Sequence, residues 1–203
     1  MKIAIIDIGI SNVFSVEQTI KKIGYNAFIA NNPSQLNTAD KIILPGVGSF
    51  KKAMENLNLM NWIDILKKKV ILEKKPILGI CLGMQLFAES SDEISYTKGL
   101  SFINGNVTKM YTLGCKKNLP HVGWNNVKIK KTPLTNNIDQ NSDFYFVHSY
   151  VYKKLPDNII IGTTDYDINF ISIINYQNIY GVQFHPEKSS NSGKILLKNF
   201  LDI

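Results

Sequence analysis

PILGICLGMQ, residues 76–85, places Cys81 between Gly79 and Gly83 at the end of an apolar run. The run predicts a buried strand over 76–80, and LGMQLFAES (82–90) predicts a helix that begins at once. A strand turning directly into a helix crowds its neighbours, so small residues must flank the turn, and the two glycines meet that need. Cys81 then stands at a helix N-terminus, where the positive end of the dipole favours a thiolate, and the N–H of Leu82 is free to face an oxyanion. The same pattern also fits a packed core cysteine between helix-packing glycines.

Outward from this elbow the chain alternates strand and helix signals. KIAIIDI (2–8), YNAFIA (25–30) and KIILPG (41–46) read as buried strands, with Val13, Val16, Ile20 and Ile23 at helical spacing between the first two and a helix over 61–74 after the third. Such alternation predicts an α/β fold with a mixed, mostly parallel central sheet and flanking helices. After Ser91 short strands dominate, several of them antiparallel, and SGKILLKNFLDI closes the chain as an amphipathic helix. With 203 residues and no repeat or clear linker, a single domain over 1–203 is expected.

Composition narrows the function classes. The formal net charge is +7, yet all 23 basic residues are lysines, so the planar guanidinium fork used to read bases and phosphates is missing. The lysines are dispersed, and nucleic acid is not the expected partner. No apolar run reaches membrane-span length, so no membrane partner is expected. Asp7 interrupts the first apolar stretch, which reads as a strand and not as a signal peptide. Two cysteines, Cys81 and Cys115, make no disulfide framework and suggest a reducing, cytoplasmic setting.

Two further segments carry chemistry. In VQFHPEKS (182–189), His185 precedes Glu187 by two residues with Pro186 between them, and a histidine oriented by a carboxylate can take a proton from a thiol. In LPGVGSF (44–50), Pro-Gly-x-Gly after a strand leaves backbone N–H groups able to hold an anion, although a plain tight turn reads the same way. Neither this loop nor DIGISN has the dinucleotide fingerprint, and no cysteine or histidine has metal-ligand spacing, so no cofactor and no metal are expected.

Taken together, the elbow cysteine, the Pro-Gly-x-Gly loop and His-Pro-Glu resemble the class I (triad) glutamine amidotransferases. GICLGMQ, LPGVGSF, PHVGWN, FYFVHSY and GVQFHPEKS, in that family's order, are similar to the glutaminase subunits of imidazole glycerol phosphate synthases. The resemblance implies a flavodoxin-like amidotransferase fold and hydrolysis of L-glutamine to glutamate and ammonia by Cys81, His185 and Glu187. It implies an oxyanion hole from the N–H groups of Leu82 and, after a peptide reorientation, Val47. Gly46, Gly48, Gln85, Glu93, His148, Ser149 and Tyr150 would seat the substrate, with Asp92 an alternative to Glu93. Gln85 facing solvent and His148 as a structural residue remain open. A (β/α)₈-barrel cyclase subunit would receive the ammonia in a heterodimer, with Asn12, His121, Trp124, Tyr145 and Lys188 at the interface, although Trp124 also fits core packing. Two other roles fit the same residues: supplying ammonia for amidino-sugar synthesis in surface polysaccharides, and acting as an inactive scaffold. Ser11 before Asn12 and ISYTKGL after Glu93 depart from the family pattern.

Overall fold

A computed structural model describes residues 1–203. The chain runs β1 (Ile3–Ile6), α1 (Val13–Lys22), β2 (Ala27–Ala30), β3 (Lys41–Gly46), α2 (Phe50–Leu59), α3 (Trp62–Leu66), β4 (Ile77–Cys81) and α4 (Leu82–Gln85). It continues through β5 (Ser90–Ser91), β6 (Thr97–Lys98), β7 (Asn106–Lys109), β8 (His121–Ile129), β9 (Ser142–His148), β10 (Tyr150–Tyr152), β11 (Ile160–Asp165), β12 (Asn169–Tyr176), β13 (Ile179–Val182) and α5 (Ser190–Asp202).

Nine strands form one sheet in the order β2-β1-β3-β4-β13-β12-β11-β8-β9. The first five are parallel and the rest continue antiparallel. The expected mixed sheet is therefore present, its parallel part built from the first half of the chain together with β13 and its antiparallel part from the second half. Strand alternation sorts the core into two layers. Ala4, Ile6, Ile42, Leu44 and Ile77 face α2 and α3, while Ile3, Ile5, Ile43, Leu78 and Ile80 face α1 and α5. A strand covered on both faces has no solvent side, which is why these segments read as unbroken apolar runs. A second sheet, β10-β7-β5-β6, lies beside the first. The chain passes from one sheet to the other at Ser149, between β9 and β10.

Three local expectations are corrected. The helix expected over 82–90 ends at Gln85. The carbonyls of Leu86, Phe87 and Ala88, which a longer helix would use, accept instead from the N–H groups of Leu100, Phe102, Ile103 and Ser101. Tertiary hydrogen bonds thus outcompete a good helical sequence. The helix expected over 61–74 is α-helical only to Leu66 and then widens into a π-helical turn over Lys67–Leu72. α2 is an addition to the expected elements, although Phe50, Ala53, Met54 and Leu57 recur at helical spacing behind a Ser49 cap whose side chain accepts from the Lys52 N–H. No helix is long and apolar enough to cross a membrane.

Candidate active site

The parallel order β2-β1-β3-β4 brings the C-terminal ends of β3, β4 and β13 to one edge, where ligands of open α/β sheets bind. Cys81 ends β4 with φ 54° and ψ −110°, a conformation costing on the order of 1–3 kcal/mol for a residue with a Cβ. The surroundings hold it there. A Cβ on Gly83 would lie 1.7 Å from the Leu44 carbonyl oxygen, and one on Gly79 would lie 2.6 Å from the Met84 nitrogen. Only glycine lets α4 fold back this tightly on β3 and β4. The elbow is as expected, but α4 has four residues, so its dipole is much weaker than that of a full helix.

Cys81 opens onto a cavity of about 310 Å³ that Val47, Gly48, Leu82, Gln85 and Glu93 line with His148, Ser149 and Tyr150. The cavity is at the small end of the range for ligand pockets. Leu82 is the first residue of α4, where an N–H has no partner within the helix. The Val47 N–H donates to the Ile10 carbonyl at 2.9 Å and is therefore engaged away from the cavity. Gly46 is buried at the end of β3, beside the Leu82 side chain.

His185 follows β13 and leads into a 3₁₀ turn at Pro186–Lys188. Pro186 fixes the first position of that turn, and the tight geometry returns Glu187 to His185: Nδ1 lies 2.8 Å from Glu187 Oε1, with both side chains buried. Burial alone would push the imidazolium toward losing its proton, but interaction with Cys81 and then with Glu187 outweighs it and raises the His185 pKa to about 10. His185 Nε2 has no hydrogen-bond partner. The backbone is held to β9 as well, since His185 N–H donates to the Tyr145 carbonyl at 2.9 Å and Ser189 Oγ donates to the His185 carbonyl at 2.6 Å.

Gln85 does not face solvent. It is buried, and its Nε2 donates to the Tyr150 carbonyl at 2.8 Å and to Gln183 Oε1 at 3.0 Å. Glu93, not Asp92, lines the cavity. Glu93 Oε2 accepts from the Phe50 N–H at 2.6 Å, and burial raises its pKa against that hydrogen bond. Asp92 is turned to Thr108, whose hydroxyl donates to it at 2.7 Å.

The residues expected at a partner interface divide. Trp124 is 53% exposed and meets Tyr145 edge-on, so core packing is excluded for it. Lys188 lies over the Tyr145 ring with Nζ 5.7 Å from its centroid. Asn12 is exposed and caps α1 by accepting from the Ser15 N–H. His121 is a correction: it is only 3% exposed, stacked on Tyr166 and Phe146, because β8 points its ring inward beside His148. Its Nδ1 lies 3.2 Å from His148 Nε2, and His148 Nδ1 lies 3.1 Å from the Tyr150 carbonyl. Burial first, then neighbouring positive charge, lowers the pKa to about 4 for His121 and about 3 for His148.

Gln183 is a site residue that the motifs do not single out. It is fully buried, and its Nε2 lies 3.7 Å from Cys81 Sγ. The signal for it is a polar side chain inside the apolar GVQF run, two residues before His185.

A fold with a cysteine elbow, an adjoining Pro-Gly-x-Gly loop and a buried His-Glu pair defines a class of amide-hydrolysing enzymes, and similarity to known proteins agrees. The model of the class-I glutamine amidotransferase family matches residues 4–203, and the chain belongs to that family. It is 50% identical over 200 residues to an imidazole glycerol phosphate synthase subunit HisH 2 of Methanococcus maripaludis, covering 98% of each chain. It is 48% identical over 200 residues to a subunit HisH 1 of Campylobacter jejuni, again covering 98% of each. Among solved structures, a chain of PurLQS from Thermotoga maritima has a TM-score of 0.74 at 18% identity over 99% of this chain and 97% of that one, which is likeness of fold.

Proposed function

We propose that this chain, acting as one amidotransferase domain, is the glutaminase subunit of an imidazole glycerol phosphate synthase and passes ammonia to a (β/α)₈-barrel cyclase partner. The observation that carries the chemistry is the buried His185–Glu187 pair, together with the interaction of Cys81 that keeps His185 protonated. Full-length similarity to HisH subunits supports the pathway.

The Cys81 thiolate attacks the carboxamide carbon of glutamine in the cavity, and the carbonyl oxygen takes the negative charge. The Leu82 N–H holds that oxygen. His185 gives its Nε2 proton to the departing ammonia, leaving a thioester on Cys81. Water, deprotonated by His185, then hydrolyses the thioester to glutamate, while Glu187 keeps the imidazole in the orientation both steps need. Proton transfer and oxyanion stabilisation each supply on the order of 10²–10⁴ in rate. Glu93 and the Gln85 carbonyl oxygen, whose NH₂ is already committed, serve the charged end of glutamine. The reducing cytoplasm suits a free Cys81 thiol.

The engaged Val47 N–H supports low activity of the chain alone. A second oxyanion donor becomes available when the Val47 peptide turns away from Ile10, and Gly48, at φ 97°, absorbs the dihedral change at little cost. Exposed Trp124 and Lys188, with half-buried Tyr145 between them, offer the surface through which a partner drives that turn. Glutamate release is measured with the chain alone, with its cyclase partner, and with partner plus the cyclase's nucleotide substrate. The expected result is a stepwise rise, and no rise with partner and substrate overturns the pathway reading. The same triad and cavity also suit a second reading, in which the ammonia goes to a different acceptor, such as an amidino-sugar synthase. That reading predicts activation by the other partner only.

A further inference from the structure

Three buried side chains form a relay whose polarity can be read from one fixed point. The Tyr150 carbonyl can only accept, so the Gln85 atom 2.8 Å from it is the NH₂ group. The second hydrogen of that group points to Gln183 at 3.0 Å, which must therefore present its carbonyl oxygen there. The opposite end of the Gln183 amide, the NH₂, is left facing Cys81 Sγ at 3.7 Å. Gln183 is fully buried and does not line the cavity, so neither water nor substrate competes for this amide.

We propose that Gln183 is a dedicated hydrogen-bond donor to the nucleophile, locked by Gln85 so that its N–H and not its carbonyl meets the Cys81 sulfur. The proposal rests on the reading of Cys81 as nucleophile. In the thiol form the sulfur also points its proton at the Val147 carbonyl, 3.8 Å away. Deprotonation removes that contact and leaves a carbonyl oxygen beside a negative sulfur. The Gln183 N–H remains and strengthens, since a donor binds an anion more tightly than a neutral acceptor. It therefore favours the thiolate. It also keeps the sulfur from turning toward Val147. One residue thus links Gln85, which borders the substrate, to the reacting atom.

The test is the pH dependence of alkylation of Cys81 by iodoacetamide, read on the Cys81 peptide by mass spectrometry, with Cys115 as the internal reference. Gln183→Met removes the donor at similar volume. Gln183→Glu keeps the shape and the acceptor for Gln85 but cannot donate when ionised. In both, the pH of half-maximal Cys81 alkylation should rise by about one unit. kcat for glutamine should fall about tenfold in both, with KM within about twofold in Gln183→Glu, which keeps the acceptor that holds Gln85 in the cavity wall. A folded variant with an unshifted alkylation profile would overturn the proposal and leave Gln183 a structural strut. Should both variants fail to fold, the unmodified chain decides by NMR: the Gln183 side-chain amide protons should move as Cys81 titrates, and resonances that stay fixed overturn it. Alkylation reports on the sulfur whether or not glutamine is hydrolysed. A shifted profile in variants of a chain without glutaminase activity would therefore sink the catalytic reading and not this hydrogen bond.

Discussion

His185 and His148 are both buried and both lie close to Cys81, yet one is cationic and the other neutral. His185 is driven to a pKa of about 10, whereas His148 is driven to about 3. Burial pushes both downward, so the neighbours decide. His185 has a buried carboxylate on Nδ1 and a sulfur that can carry charge near its other side. His148 has a backbone carbonyl on Nδ1 and a second histidine on Nε2. Since the Tyr150 carbonyl can only accept, His148 carries its proton on Nδ1 and its bare Nε2 accepts from His121, whose own Nε2 meets the Asn125 amide at 3.3 Å. Every ring nitrogen of that pair is satisfied in the neutral state, and an added proton would set two donors face to face. Environments that separate the pKa values of neighbouring groups also suit them to separate roles: His185 to the proton transfers proposed for it, and His148, backed by His121, to forming part of the cavity wall.

The largest expected effect comes from removing what distinguishes His185. Cys81→Ala should abolish glutamate release. Glu187→Gln should lower kcat by about 10²–10⁴-fold, because the amide neither holds the imidazolium nor fixes its tautomer. A Cys81→Ala protein that still hydrolyses glutamine would remove the basis of the mechanism. Next is stability. The unfolded histidines accept protons as pH falls through about 6.5, while the folded His121 and His148 refuse them until about 4 and about 3. The unfolded state then binds more protons, so stability falls with acidification, by on the order of 2 kcal/mol per histidine at pH 5. Urea unfolding at pH 7 and pH 5 measures this, and His121→Phe should remove close to half of the difference. His185 has the opposite sign. Its raised pKa adds stability that is complete below about 6.5 and is lost as pH rises toward about 10. An alkaline limb in the same unfolding series, weakened both in Cys81→Ala and in Glu187→Gln, checks it. The smallest effect on the isolated chain is expected from Trp124→Ala. That side chain is more than half exposed, so stability should change by less than about 0.5 kcal/mol while stimulation by the partner drops.

The glycine-flanked elbow, the Pro-Gly-x-Gly loop and the His-Pro-Glu spacing are legible as sequence because each is a local constraint. Gly83 is required by an approach to Leu44 that no side chain survives, and Pro186 sets the turn that returns Glu187 to His185. Less local features are not legible in this way. The helix after Cys81 reads on past its true end at Gln85 because the groups that end it, the N–H groups of residues 100–103, lie outside any local window. His121 reads as a surface residue because a histidine between Pro120 and Val122 carries no mark of the aromatic rings that enclose it.

Strand periodicity and local turn chemistry therefore determined, from sequence alone, the parallel sheet, the presentation of Cys81 and the pairing of His185 with Glu187. Only the tertiary structure decided which histidine is charged, which carboxylate faces the cavity and which amide reaches the sulfur. The first set depends on residues a few positions apart. The second depends on burial and on partners 27 to 102 positions away, as between His121 and His148 or Gln183 and Cys81.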